Sequence, residues 1–488
     1  MKQDKSTTKK IDRVPLKQKI GVGIGGFPFQ NGTYAVQYMA QPIFQIFLGL
    51  SPMLMGLAMT IPRVVDAFTD PIMGTISDKY SSKWGRRRPF IFIGALMMAI
   101  TYMMIWWVPR SFGEGALFTW LVVSSILFFL AYTVYSVPVT SLTYELTPDY
   151  RERTRVMAFW GFFFSAGNLA INWYSPLATN EKYFGARDAV TGVFQNGLLG
   201  DHLTGARIAS VVAGVLIFGF MGIMPAILGR ERFYKLAKKE QEEKVEKIGF
   251  LTAIKQLGSS KAMLVLITMI LSLNFCATIA GSLAQYIVIY FVMSGDVVEG
   301  IQLNALNGTG FAIIGFAAIP VLTGIANKFG KKQAMFFVLF LALFGGAAKW
   351  FIFTPDAPYL LLLDAVLNGP VWVAIGVIIP SMLADLCDYD ELQHGERREG
   401  MISAVYTWIT KVGLSFTFLF SGFALILSKF DEALLQQSPE TLLSMRLWFV
   451  GASVAAALGA LIILRFYPIS EKVAIETREK LEVRRGKV

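Results

Sequence analysis

Apolar residues run in long blocks along the whole chain, near 20–48, 51–77, 89–109, 116–142, 156–178 and 207–228, then 262–292, 303–326, 334–354, 359–386, 401–428 and 446–468. A helix needs about 20 residues to cross the hydrocarbon core of a bilayer. The pattern therefore predicts an all-α membrane protein of about twelve transmembrane helices. Polar residues inside these blocks are few, and where they fall is the informative part.

The second block holds Arg63-Val-Val-Asp66-Ala-Phe-Thr69-Asp70-Pro71-Ile-Met-Gly74. Asp66, Thr69 and Asp70 are spaced i, i+3 and i+4, so their oxygens share one helix face. A carboxylate at the bilayer centre costs about 2.5–3.5 kcal/mol even on the mildest scale. A cluster of oxygens there suits a hard cation such as sodium, or a trapped proton. The competing reading is an ordinary ion pair with a basic residue on a neighbouring helix.

Polar stripes mark other blocks. Gln30, Tyr34, Gln37, Gln41 and Gln45 step by four and three along the first; Asn274, Thr278, Ser282 and Gln285 do so along the seventh. Such faces line a watery cavity or hydrogen-bond to polar neighbours. The fourth block adds Tyr132, Thr133, Tyr135, Ser136 and Thr140, and the tenth adds Asp364, Asn368 and Trp372. Gly23, Gly25, Gly26, Pro28, Pro138, Pro370 and Pro380 permit bends or broken helices.

Composition agrees with a membrane chain: of 488 residues 54% are hydrophobic, 14% aromatic and 16% charged, with mean hydropathy +0.52. The net charge of +11 would suggest nucleic acid in a soluble protein. Here the basic residues gather between apolar blocks, so no nucleic-acid partner is expected. Counting alternate loops and tails gives about 34 Lys and Arg on one side and about 4 on the other, which puts both termini in the cytoplasm. The lysine-rich start shows no cleavage site, so no cleaved signal is expected. Cys276 and Cys387 do not form a disulfide framework, and His202 and His394 have no zinc-like spacing. No HExxH or GxSxG motif points to an enzyme.

The charged stretch 229–261 separates two sets of six blocks. The expected organisation is a tail at 1–19, a six-helix bundle at 20–228, a cytoplasmic linker at 229–261, a second bundle at 262–468 and a tail at 469–488. Phe250, Leu251, Ile254 and Leu257 suggest a short interfacial helix in the linker. The halves are weak repeats: Pro71…Gly74…Asp78-Lys79 before Gly85-Arg86-Arg87 corresponds to Pro320…Gly324…Asn327-Lys328 before Gly330-Lys331-Lys332. Two six-helix halves about an axis along the membrane normal are one transporter plan. The other long loop, 179–206, falls on the external side.

The second-block stretch resembles the glycoside–pentoside–hexuronide:cation symporters of the major facilitator superfamily, typified by the melibiose permease. Glu145-Leu-Thr-Pro-Asp149-Tyr-Arg151-Glu-Arg153-Thr-Arg155, Ala384-Asp385-Leu-Cys-Asp388-Tyr389-Asp-Glu391 and Gly395-Glu-Arg397-Arg398-Glu399-Gly400 through Thr410-Lys411-Val-Gly413 agree with it. The likeness spans 20–470. It implies the major facilitator fold in two pseudo-symmetric six-helix halves, a plasma (inner) membrane location, and alternating access.

The resemblance also implies roles. Asp66 and Asp70 stand as cation ligands, with Thr69 where the family has an asparagine and Thr133 at its helix-four threonine. Arg63 and Lys411 match basic residues near that site. Ser136 stands where the family has a third carboxylate, Phe29 and Gln30 where it has a sugar-binding Lys–Asp pair, Thr140 at its tryptophan, and Trp160 near its arginine. Galactoside contacts are thus mostly lost.

The expected activity is cation-coupled symport of a sugar or glycoside, with Na+ or H+ as coupling ion and no other cofactor. Gln30, Tyr34, Gln37, Tyr132, Ser136, Trp160, Asn274, Trp372 and Lys411 are the candidate solute contacts. Arg63, Asp78, Arg86, Arg87, Arg88, Glu145, Arg151 and Arg153 are the candidate gating residues. The alternatives are a lysolipid, a sulfonated sugar or another anionic solute, and a non-transporting sensor. A monomer in the lipid bilayer is expected.

Overall fold

The computed structural model describes residues 13–80, 82–147, 150–185, 195–231, 261–394, 399–431, 434 and 436–485. The side chains of Asp78, Glu145, Arg151, Arg153, Thr278 and Ser282, and the expected interfacial helix at 250–257, lie outside the described residues.

Among the described residues twelve long helical runs follow the apolar blocks. Span 1 comprises Leu16–Ile24, Gly26–Ala40 and the π-helical Gln41–Phe47; span 2 is Pro52–Lys79, span 3 Arg88–Trp106, span 4 Glu114–Glu145 and span 5 Tyr150–Ile171. Span 6 runs from His202–Val212 through Ala213–Met221 to Gly222–Leu228. Span 7 is Lys261–Tyr286 with Ile287–Val292, span 8 Val297–Phe329 and span 9 Lys331–Ile352. Span 10 joins Pro358–Leu362, Leu363–Val373, Ala374–Ile378 and Ile379–His394; span 11 is Glu399–Leu427 and span 12 Pro439–Arg465. Seven of these are long and apolar enough, by composition, to cross a membrane.

The chain divides into two compact units, Met1–Glu246 and Lys247–Val488. Each repeats one packing scheme. In the first, span 1 lies between spans 5 and 6, span 4 packs on spans 2 and 3, and span 3 on span 6. In the second, span 7 lies between spans 11 and 12, span 10 packs on spans 8 and 9, and span 9 on span 12. Lipid offers no hydrophobic drive for helix association, so close fit has to supply it. Gly94 shows how: a Cβ there would sit 2.7 Å from the Tyr135 backbone nitrogen, so only glycine lets spans 3 and 4 approach this closely. Tyr102, Phe128 and Phe218 then stack edge-on and tilted in the first core, with Tyr102 and Phe218 centroids 5.0 Å apart.

The repeat extends to backbone detail. Spans 1 and 7 both end in a wider π-helical turn, and each is followed by a glycine with positive φ, Gly49 at 75° and Gly295 at 97°. Gly85 and Gly330, at 107° and 88°, precede spans 3 and 9. These left-handed positions favour glycine because a Cβ would clash with the backbone.

Candidate functional site

Span 2 holds the acidic cluster in a helix that its own sequence loosens. Pro71 has no N–H, so the Ala67 carbonyl loses its helical donor one turn back. Thr69 Oγ1 turns inward to donate to the Asp66 carbonyl at 3.1 Å. Asp66 is buried, and span 4 closes on it. Thr133 Oγ1 lies 2.8 Å from Asp66 Oδ1 and 3.2 Å from Asp70 Oδ1. It is also 3.2 Å from Thr69 Oγ1. Two carboxylates and two hydroxyls from two helices thus meet around one point. A hydroxyl has a single hydrogen to donate, so Thr133 serves one carboxylate at a time and offers its lone pairs to the rest. Oxygens of this kind suit a proton or a hard cation.

Arg63, which the sequence placed both near this site and among the gating residues, sits beside the cluster. Its guanidinium donates to the Thr33 carbonyl and lies 4.3 Å from the Phe129 ring centroid. The physical reason is register: Arg63 is less than one helical turn before Asp66, so the two cannot be far apart along the bilayer normal. Tyr132 closes the same corner through a 2.7 Å hydroxyl contact with Thr33.

The first-span candidates divide. Gln30 is buried, and its amide donates to Asn168 Oδ1 at 2.9 Å. Asn31 is held by the Tyr174 hydroxyl. These two behave as the interhelical glue that was the competing reading of the stripe. Gln37 Oε1 and Gln41 Nε2 are different: both atoms are buried with no hydrogen-bond partner among the described residues. Tyr34 lies within the field of Arg63. Trp160 is buried against Phe29, with ring centroids 5.6 Å apart, and Phe164 and Tyr132 complete the aromatic wall. Ser136 is buried and its carbonyl accepts from Thr140.

Asn274, Trp372 and Lys411 belong to the second unit. Asn274 is buried and donates back to the Ile270 carbonyl of its own helix at 3.0 Å, while Trp372 is exposed.

The basic run before span 3 is organised by a residue the sequence reading missed. Glu231, just beyond span 6, accepts from the backbone N–H groups of Arg86 at 2.9 Å, Arg87 at 2.8 Å and Arg88 at 3.3 Å. It caps the positive end of span 3. Arg88 then donates to the Ala226 and Ile227 carbonyls. Glu152 was also missed: it is buried, 2.6 Å from Lys19 Nζ, and accepts from the Val14 N–H. Acids next to basic loops carried no signal that would separate them from ordinary loop charge.

The model of the MFS/sugar transport protein family matches residues 21–471. The chain belongs to this family. It is a multi-pass transporter rather than an enzyme, as the sequence suggested. Relatives similar to it include an uncharacterized symporter of Synechocystis sp., 27% identical over 97% of this chain and 98% of the relative. An isoprimeverose transporter of Lactiplantibacillus pentosus is 23% identical over 82% of this chain and 78% of its own. The crystal structure of a D-xylose-proton symporter superposes with a TM-score of 0.59 at 15% identity, covering 93% of this chain and 98% of that one. That likeness speaks to the fold.

Proposed function

We propose that this transporter carries a sugar or glycoside across the membrane together with a cation, Na+ or H+. The cation is held by Asp66 and Asp70 with Thr69 and Thr133. The observation that carries the reading is the Thr133 hydroxyl lying within 3.2 Å of both carboxylates, two charges that repel each other until a cation joins them. Gln37 and Gln41, an acceptor and a donor one helical turn apart without partners among the described residues, match the paired donor and acceptor of a sugar hydroxyl. The symporter and sugar-transporter names among the relatives support the same class. Loop charge favours cytoplasmic termini in a plasma (inner) membrane, and transport proceeds by alternating access.

The test is uptake of labelled glycosides by proteoliposomes under an imposed sodium gradient or pH gradient. One gradient should drive accumulation, and Asp66→Asn/Asp70→Asn should abolish it. Concentrative uptake by that double variant would leave a carrier without cation coupling. A second reading, a solute with an apolar portion such as a lysolipid, is favoured by the Phe29, Trp160 and Phe164 wall. It would show as inhibition by lysolipid and none by glycosides.

A further inference from the structure

A second charged cluster is buried within the other unit. Lys349 of span 9 and Asp364 of span 10 are 4% and 5% exposed at their side chains, with Nζ 3.8 Å from Oδ1. Lys349 came with no sequence flag, although it is a lone cation inside the apolar run Phe-Gly-Gly-Ala-Ala-Lys349-Trp. A buried ion pair repays its desolvation only with close, well hydrogen-bonded geometry. At 3.8 Å this pair lacks a direct hydrogen bond. The ammonium lies instead 4.8 Å from the Phe449 ring centroid.

The carboxylate is surrounded by amides. Asn368 Nδ2 lies 2.6 Å from Asp364 Oδ1, and Asn307 of span 8 lies against the same group. Among the described residues Lys349 is the charged side chain that faces Asp364; span 8 presents Asn307, span 10 presents Asn368, and span 12 lays Phe449 against Lys349. Asn307 Oδ1 and, one turn earlier, Asn304 Nδ2 are buried without hydrogen-bond partners among the described residues. An amide can donate to a carboxylate or, after its end turns over, accept from a carboxylic acid. The 2.6 Å contact is short for N–H···O and ordinary for O–H···O. Asn307 and Asn368 are thus able to satisfy either protonation state, and Asn307 holds a spare acceptor ready for the protonated one.

We propose that Asp364 is a proton-exchange site in the second unit, separate from the Asp66–Asp70 cluster. One proton leaves Lys349 Nζ as its N–H bond breaks and joins an Asp364 oxygen as an O–H bond forms. A pair of opposite charges becomes a neutral amine and a neutral acid, with no net change in protons. The neutral state lets spans 9 and 10 separate without stranding a charge in a low-dielectric interior. Uptake of a proton from water by the amine then restores Lys349, and release from the acid restores Asp364.

Infrared difference spectroscopy of the purified full-length protein, titrated with acid and base alone, tests this without any solute. A carboxylic-acid carbonyl band already present near neutral pH and lost on addition of base is expected, absent in Asp364→Asn, displaced in Asp364→Glu and moved along the pH axis in Lys349→Gln. Should Asp364→Asn fail to fold, Lys349→Gln/Asp364→Asn removes both charges together and is read the same way. A difference spectrum unchanged by these substitutions means a permanently ionised strut and overturns the proposal. The readout is independent of the sugar and of the first-unit cation, so its failure is distinct from failure of the symport reading.

Discussion

At the scale of single residues, Thr133 decides how the acidic cluster works. Its hydroxyl is the group common to Asp66, Asp70 and Thr69. Thr133→Val keeps the volume and removes the contact. A hydrogen bond to a charged group contributes about 1.5–3 kcal/mol, so cation affinity should fall by at least about tenfold. Thr133→Ser should retain most of it. Cation-dependent thermal stabilisation of purified protein measures both, and equal stabilisation of wild type and Thr133→Val would remove Thr133 from the site. Asp201, capping the start of span 6, gives a pH signature. Partial burial works to raise its pKa, but hydrogen bonds from Thr204 and the Arg110 ion pair hold it below the ordinary aspartate value. A depressed folded-state pKa means stability that is present above the unfolded value, about 3.9, and lost as pH falls through the folded one. Asp201→Ala should therefore lower the unfolding temperature at neutral pH and converge on wild type in strong acid. Because Arg110 is half exposed, the effect is about 1 kcal/mol, mostly the lost helix cap.

At the scale of elements, each unit builds the same joint before a long span. Gly85 takes φ 107° and a Cβ on it would be 2.7 Å from Glu231 Oε1; Gly330 takes φ 88° and would be 2.9 Å from Glu471 Oε2. In both, an acid that follows the unit's last span meets the start of its third. Glu231→Gln keeps the shape while removing the charge that three backbone N–H groups share, a cost of about 1–3 kcal/mol. Gly85→Ala adds about 1–2 kcal/mol of left-handed strain and displaces the same carboxylate. Both variants should unfold at lower temperature, Gly85→Ala the more so. Glu231→Gln with an unchanged unfolding temperature would show that the cap contributes nothing. The basic run Arg86, Arg87 and Arg88 was legible as a cluster, but its acid lies more than 140 residues away in sequence, and nothing local announces it.

For the whole molecule the question is coupling. A cation drives accumulation only if the solute binds the cation-loaded form more tightly than the empty one. Asp70 is less deeply buried than Asp66, and its contact with Thr133 is the longer of the two. Asp70→Asn should thus abolish uphill accumulation while leaving solute exchange down its gradient, because the proposed solute contacts Gln37 and Gln41 are untouched. Counterflow in proteoliposomes without an ion gradient measures the exchange. Loss of exchange together with accumulation would mean that Asp70 holds the solute itself.

The sequence by itself determined the number and order of the spans, because a bilayer demands about 20 apolar residues per crossing regardless of what packs against them. It also determined the Asp66, Thr69 and Asp70 face, since helical periodicity alone brings i, i+3 and i+4 together. The cost of a charge inside an apolar span would likewise have found Lys349, whose charge is as out of place in its span as theirs. Only the tertiary structure decided which polar side chains are spent on packing and which remain free. Gln30 and Gln37 read alike in the chain, yet one is tied to Asn168 and the other keeps a buried oxygen without a partner among the described residues. Hydrogen bonds between helices depend on which faces meet, and that is set by close contacts such as Gly94 on Tyr135, formed between residues far apart in sequence.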